Sequence, residues 1–145
     1  MNSPEEIMKI ADSRLEEAKI LLDKGKYNGA FYLAGYSVEL YLKAKICINF
    51  GVPDLFSKKK TNKTRGEIRS AVFTHNLLAL LIYSGLITKY EKYKKDNPKM
   101  GVTIHFIFSQ WNEEERYRSD TSIQPKQIIK IINNLEEFLL WMKQN

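Results

Sequence analysis

The chain has 145 residues, 43% of them hydrophobic, with a formal net charge of +6. A chain of this length buries roughly two thirds of the surface its unfolded form exposes, so a single domain over residues 1–145 can hold a core without disulfide or metal staples. The lone Cys47 cannot pair internally and, between Ile46 and Ile48, fits a small buried hydrophobe. The opening MNSPEEIMKIADS does not read as a secretory signal, and the longest apolar stretch, LLALLIYSGLI at 77–87, is too short to cross a bilayer. A soluble, cytoplasmic protein with no membrane partner is the expectation.

In chain order the pattern predicts helices, with almost nothing that alternates like a strand. Ser3-Pro4-Glu5-Glu6 reads as a helix start, with Ser3 as N-cap, proline in the first turn and Glu6 placed for a capping box. Ile7, Ile10, Ala11, Leu15, Ala18, Leu21 and Leu22 recur at three and four residues along one stripe, and Gly25 marks the end. A second helix is predicted from about Tyr27 to Phe50, stopped by Gly51 and Pro53. Its small residues Gly29, Ala30, Ala34 and Gly35 predict close approach of another helix, because glycine inside a helix otherwise costs about 1 kcal/mol against alanine.

Residues 52–70 read as a polar, lysine-rich loop, long enough for a functional role. Thr74 or Asn76 can cap a short third helix in LLALLIYSG that Gly85 ends. Residues 86–118 predict a short helix, a turn at Pro98 to Gly101, and a helix carrying Ile104, Ile107, Phe108 and Trp111. The last helix, capped by Asp120, Thr121 or Ser122 with Pro125 in its first turn, puts Ile128, Ile131, Leu135, Phe138 and Met142 on one face. The fold class is all-α, an up-and-down antiparallel bundle of four to five helices.

Two basic clusters stand out. One holds Lys58, Lys59, Lys60, Lys63, Arg65 and Arg69; the other holds Lys89, Lys92, Lys94, Lys95 and Lys99. Each suits phosphate, although taken alone each reads first as a solvated face that keeps the protein soluble. Catalytic signatures are missing: there is no phosphate-binding glycine loop, no cysteine pair for zinc, no HExxH and no Gly-x-Ser-x-Gly. No cofactor and no metal are implied. Of the two histidines, His105 lies in the apolar run TIHFIF and reads as a core residue, whereas His75 stands at a helix start, where it can pack, cap or act.

The segment AGYSVELYLKA, then THNLLALL, then WNEEERYRSD before a last amphipathic helix, resembles the HEPN family, the higher eukaryote and prokaryote nucleotide-binding domain. The family's A-x-E-x-x-L-K-A core recurs as Ser37-Val38-Glu39 through Lys43-Ala44, and the likeness runs over roughly residues 7–142. It implies a helical bundle, frequent homodimerisation, and a role around RNA or nucleotides, often with a nucleotidyltransferase partner in a toxin–antitoxin or modification pair. Many members are metal-independent ribonucleases with an Arg, four to six residues, and a His just before the last long helix. Arg116 and Arg118 lie at that place, but RYRSDTSIQPKQII offers no histidine after them. The spacing does occur in RSAVFTH, from Arg69 to His75, yet ahead of the short third helix rather than the last one.

One oddity remains in the second helix. Glu39 and Lys43 stand one turn apart in the middle of a run that otherwise reads as buried. A buried carboxylate needs a cation or donors. A centre of Glu39, Lys43 and Arg116, with His75 and Tyr117 near it, is therefore expected, either as a structural network or as an anion site, with Arg118 and Asp120 at its entrance. As a binding site it would take Glu39, Lys43, Arg116, Tyr117, Arg118 and the lysines Lys58, Lys59 and Lys60; as a ribonuclease it would use Arg116 and His75. A third alternative is a purely structural helical dimerisation module.

Overall fold

In the computed structural model, which describes residues 3–57, 62–114 and 123–145, the Ser3 hydroxyl accepts the Glu6 backbone N–H at 3.2 Å. Pro4 occupies the first turn of α1 (Pro4–Asp23). The predicted stripe is real: Ile7, Ala11, Leu15 and Ala18 are buried against α2 (Tyr27–Phe50). α2 has the bounds its sequence predicts, and Gly51 ends it in a left-handed conformation at φ 68, returning its N–H to the Cys47 and Ile48 carbonyls.

α2 is the central element. Every residue from Ser37 to Cys47 is buried, so the helix has no solvent face over three turns and therefore little amphipathic signal. α1 and α7 (Pro125–Gln144) pack against it and against each other, forming the bundle. Polar groups caught between α1 and α2 are paired: the Ser37 hydroxyl donates to the Ala11 carbonyl at 2.7 Å, and the Tyr41 hydroxyl donates to Asp12 at 2.8 Å. On α7 the expected face, Ile128, Ile131, Leu135, Phe138 and Met142, is buried.

Between α2 and α7 the chain forms four short helices, α3 (Lys63–Val72), α4 (Leu77–Tyr83), α5 (Ile87–Asp96) and α6 (Pro98–Gln110). Seven helices among the described residues replace the four to five expected, and none of the described residues forms a strand. The largest correction falls on 52–70, read from sequence as a loop. α3 fills its second half, and it has no apolar stripe to betray it, since only Val72 is buried. Polar contacts hold it instead. The Asn62 side chain accepts the Arg65 N–H at 2.8 Å, Arg65 pairs with Asp54 at 2.9 Å, and Arg69 donates to the Ser57 carbonyl at 2.8 Å.

Three further expectations change. Trp111 lies just past α6 in extended backbone rather than within the helix. α7 takes Gln124 at its cap position without a side-chain bond, while the expected caps Asp120, Thr121 and Ser122 lie outside the described residues. His105 is exposed on α6, because the run TIHFIF turns its core face through Ile104 and Ile107 instead. The second lysine cluster lies on α5 and the start of α6, and part of it is neutralised locally, with Lys94 on Glu91 at 3.2 Å and Lys92 on Asp96 at 2.5 Å. Among the described residues no helix is long and apolar enough to cross a membrane.

Candidate functional site

The oddity in α2 resolves into a polar centre. Glu39 is 1% exposed and Lys43 6%, so the pair lies inside the protein, with Lys43 Nζ donating to Glu39 Oε1 at 2.7 Å. A carboxylate and an ammonium so placed lose most of their hydration and stand only because each supplies the other's partner. The remaining face of the ammonium is covered by aromatic rings, Phe56 at 5.6 Å and Phe73 at 5.1 Å from Nζ to ring centroid, in cation–π arrangement.

His75 completes the centre. Its Nδ1 lies 3.1 and 3.0 Å from the two Glu39 oxygens, and its Nε2 lies 3.2 Å from Glu113 Oε2 just beyond α6. Only the imidazolium form carries an N–H on each nitrogen and can donate to both carboxylates at once. The short link 73–76 holds the ring there by local chemistry. The Thr74 hydroxyl accepts the Asn76 N–H at 3.1 Å, and the Asn76 side chain accepts the Ala79 N–H at 3.1 Å as the cap of α4. Of the two cap candidates Asn76 is the cap, Thr74 closes the turn before it, and His75 is fixed between them.

The far side of His75 opens to solvent. Its side chain is 45% exposed and borders a groove of about 410 Å³ between the start of α4 and the end of α6, whose other walls include Asn76, Trp111, Asn112 and Glu113. The Trp111 indole is fixed as a wall by donating to the Tyr32 carbonyl at 3.0 Å and by stacking on the Tyr32 ring. It reaches that place only because residue 35 is glycine: a β-carbon at Gly35 would overlap the indole. Gly35 therefore admits a tryptophan side chain, while Gly29 meets Leu21 of the neighbouring helix α1, as the sequence suggested.

Of the residues expected at a site, the structure brings Glu39, Lys43 and His75 together. Arg116, Tyr117, Arg118, Lys58, Lys59 and Lys60 lie outside the described residues. Arg69, at the ribonuclease-like spacing from His75, directs its guanidinium to the Ser57 carbonyl. The sequence reading missed Glu113, Phe56 and Phe73, which come from three separate segments and carry no periodic signal of their own. The acidic run in WNEEER was the one available hint for Glu113.

No curated protein and no solved structure matches the chain. The family model described as HEPN domain matches residues 4–57, a stretch that takes in α1, α2, Glu39, Lys43 and Phe56, while His75 and Glu113 fall beyond it. Over residues 4–57, and over those residues alone, the chain matches the HEPN domain family.

Proposed function

We propose that the whole chain, residues 1–145, is one HEPN-like nucleotide- or RNA-binding unit of the cytoplasm that works beside a nucleotidyltransferase partner, in a toxin–antitoxin or RNA-related system, and takes phosphate at the groove beside His75. The observation that carries this reading is the half-exposed imidazole anchored from behind by a fully buried carboxylate. That geometry fixes the ring and turns Nε2 toward a groove whose volume, about 410 Å³, suits a small phosphate ester. The basic segments expected to add charge follow, in sequence, residues of this same centre: Lys58 to Lys60 come soon after Phe56, and Arg116 to Arg118 soon after Glu113. A homodimer belongs to the same proposal, and Phe73, Leu78 and Ile82 supply apolar surface outside the core for it.

Binding of a labelled single-stranded RNA, followed by anisotropy across a salt series, tests the reading. Affinity should fall linearly in the logarithm of salt concentration, and His75→Ala should weaken it about tenfold, the size of one hydrogen bond to a charged group. Salt-independent binding, or a His75→Ala variant that binds like wild type, would remove the groove from consideration.

The Glu39–His75 contact also favours a second reading, a metal-independent endoribonuclease in which His75 moves the proton and Arg116 stabilises charge on the phosphate. The binding reading expects total RNA to stay intact on incubation with the protein in EDTA. Cleavage that disappears in His75→Ala would establish the second reading instead.

A further inference from the structure

His75 is paired with a carboxylate on each ring nitrogen: Glu39 from α2 on Nδ1 and Glu113, beyond α6, on Nε2. The two differ in kind. Glu39 is buried and shared with Lys43, whereas the Glu113 side chain is 63% exposed and sits on the groove side. In the imidazolium form, His75 and Lys43 balance the two carboxylates, and removing Glu113 from Nε2 leaves that form with one positive charge facing the groove.

We infer that Glu113 is a built-in occupant of the phosphate position, a carboxylate that holds the groove-facing N–H of His75 until a phosphate displaces it. The inference rests on the phosphate reading of the groove. A carboxylate oxygen and a phosphate oxygen are both anionic acceptors competing for one donor, so they cannot occupy Nε2 together. Any phosphate that remained beside Glu113 would face a like charge at close range. The contact therefore sets a threshold: ligands that bring more charge than a carboxylate, such as a terminal phosphate monoester, displace it more readily than an internal phosphodiester does. Breaking the contact frees a solvated carboxylate and leaves the Glu39–Lys43 pair and the core as they were.

The test uses AMP as a terminal monoester and a short oligouridylate lacking terminal phosphates as a source of diesters, titrated into wild type, Glu113→Gln, Glu114→Gln, His75→Ala and the Glu113→Gln/His75→Ala double variant. Glu113→Gln should tighten both ligands by roughly three- to tenfold, the effect of removing one like charge a few ångströms away. The diester should gain more, because it competes less well in wild type. Glu114→Gln, which removes the same charge one residue further along, should change affinity less, and the gain should vanish in the His75→Ala background. Unchanged or weaker binding by Glu113→Gln, with wild-type binding still dependent on His75, overturns the inference and leaves the phosphate reading standing. An equal gain from Glu114→Gln, or a gain that survives His75→Ala, shows general charge at work and also overturns it. Absence of binding by both wild type and Glu113→Gln removes inference and phosphate reading together.

Discussion

Glu39 concentrates the electrostatics of this protein in one side chain. Its Oε1 accepts from Lys43 and both its oxygens meet His75, from a position 1% exposed. Truncating it strands an ammonium that is itself nearly buried, so Glu39→Ala should cost about 3–5 kcal/mol in denaturant unfolding. His75→Ala removes the half-exposed member and should cost only about 1 kcal/mol. Equal midpoints for Glu39→Ala and wild type would show that Lys43 finds water when its partner is gone, and would contradict the buried pair. The contrast also separates the structural role of the centre, held by Glu39 and Lys43, from the role of His75 at the groove.

At the scale of elements, glycine spacing and helix caps decide more than propensity does. Gly35→Ala gains about 1 kcal/mol of helix propensity, but its new methyl group runs into the Trp111 indole, and such overpacking costs about 1–3 kcal/mol or more. The variant should unfold at lower denaturant than wild type, with the Trp111 fluorescence shifted as the ring leaves its seat on Tyr32; a variant more stable than wild type would show that the indole moves freely. Long helices with a plain stripe or a plain stop were legible in the sequence, as α1, α2 and α7 show. The pair Glu39–Lys43 announced itself because two charges in an apolar run demand a partner. α3 stayed hidden because it is held by Asn62, Arg65 and Arg69 rather than by burial. Glu113 stayed hidden because nothing in a sequence shows which of several acidic residues folds back onto a histidine.

For the whole molecule, the titrating groups of the core set an alkaline limit. Burial pushes the Cys47 thiol up to about 11, and burial raises the hydroxyls of Tyr41, helped by Asp12, and of Tyr90 above their ordinary 10.0. In the unfolded chain these protons leave first, so the folded state binds more protons at high pH. The associated stability is complete below the ordinary thiol value of 9.0 and is lost as pH rises toward 11. Melting temperature should therefore decline steadily above pH 9, and Cys47→Ala should flatten the first part of that decline. A flat profile to pH 11 would mean that the thiol ionises within the folded protein.

The burial of α2 on every side from Ser37 to Cys47 also has a consequence in time. α1 and α2 emerge together during synthesis, but α7, which covers another side of α2, follows only after the four short helices between them. Until it does, α2 has α1 and then α4 against it but lacks the third helix that packs on it. The segment 4–57 is thus recognisable as sequence well before all of its packing partners exist, and its completion waits for α7.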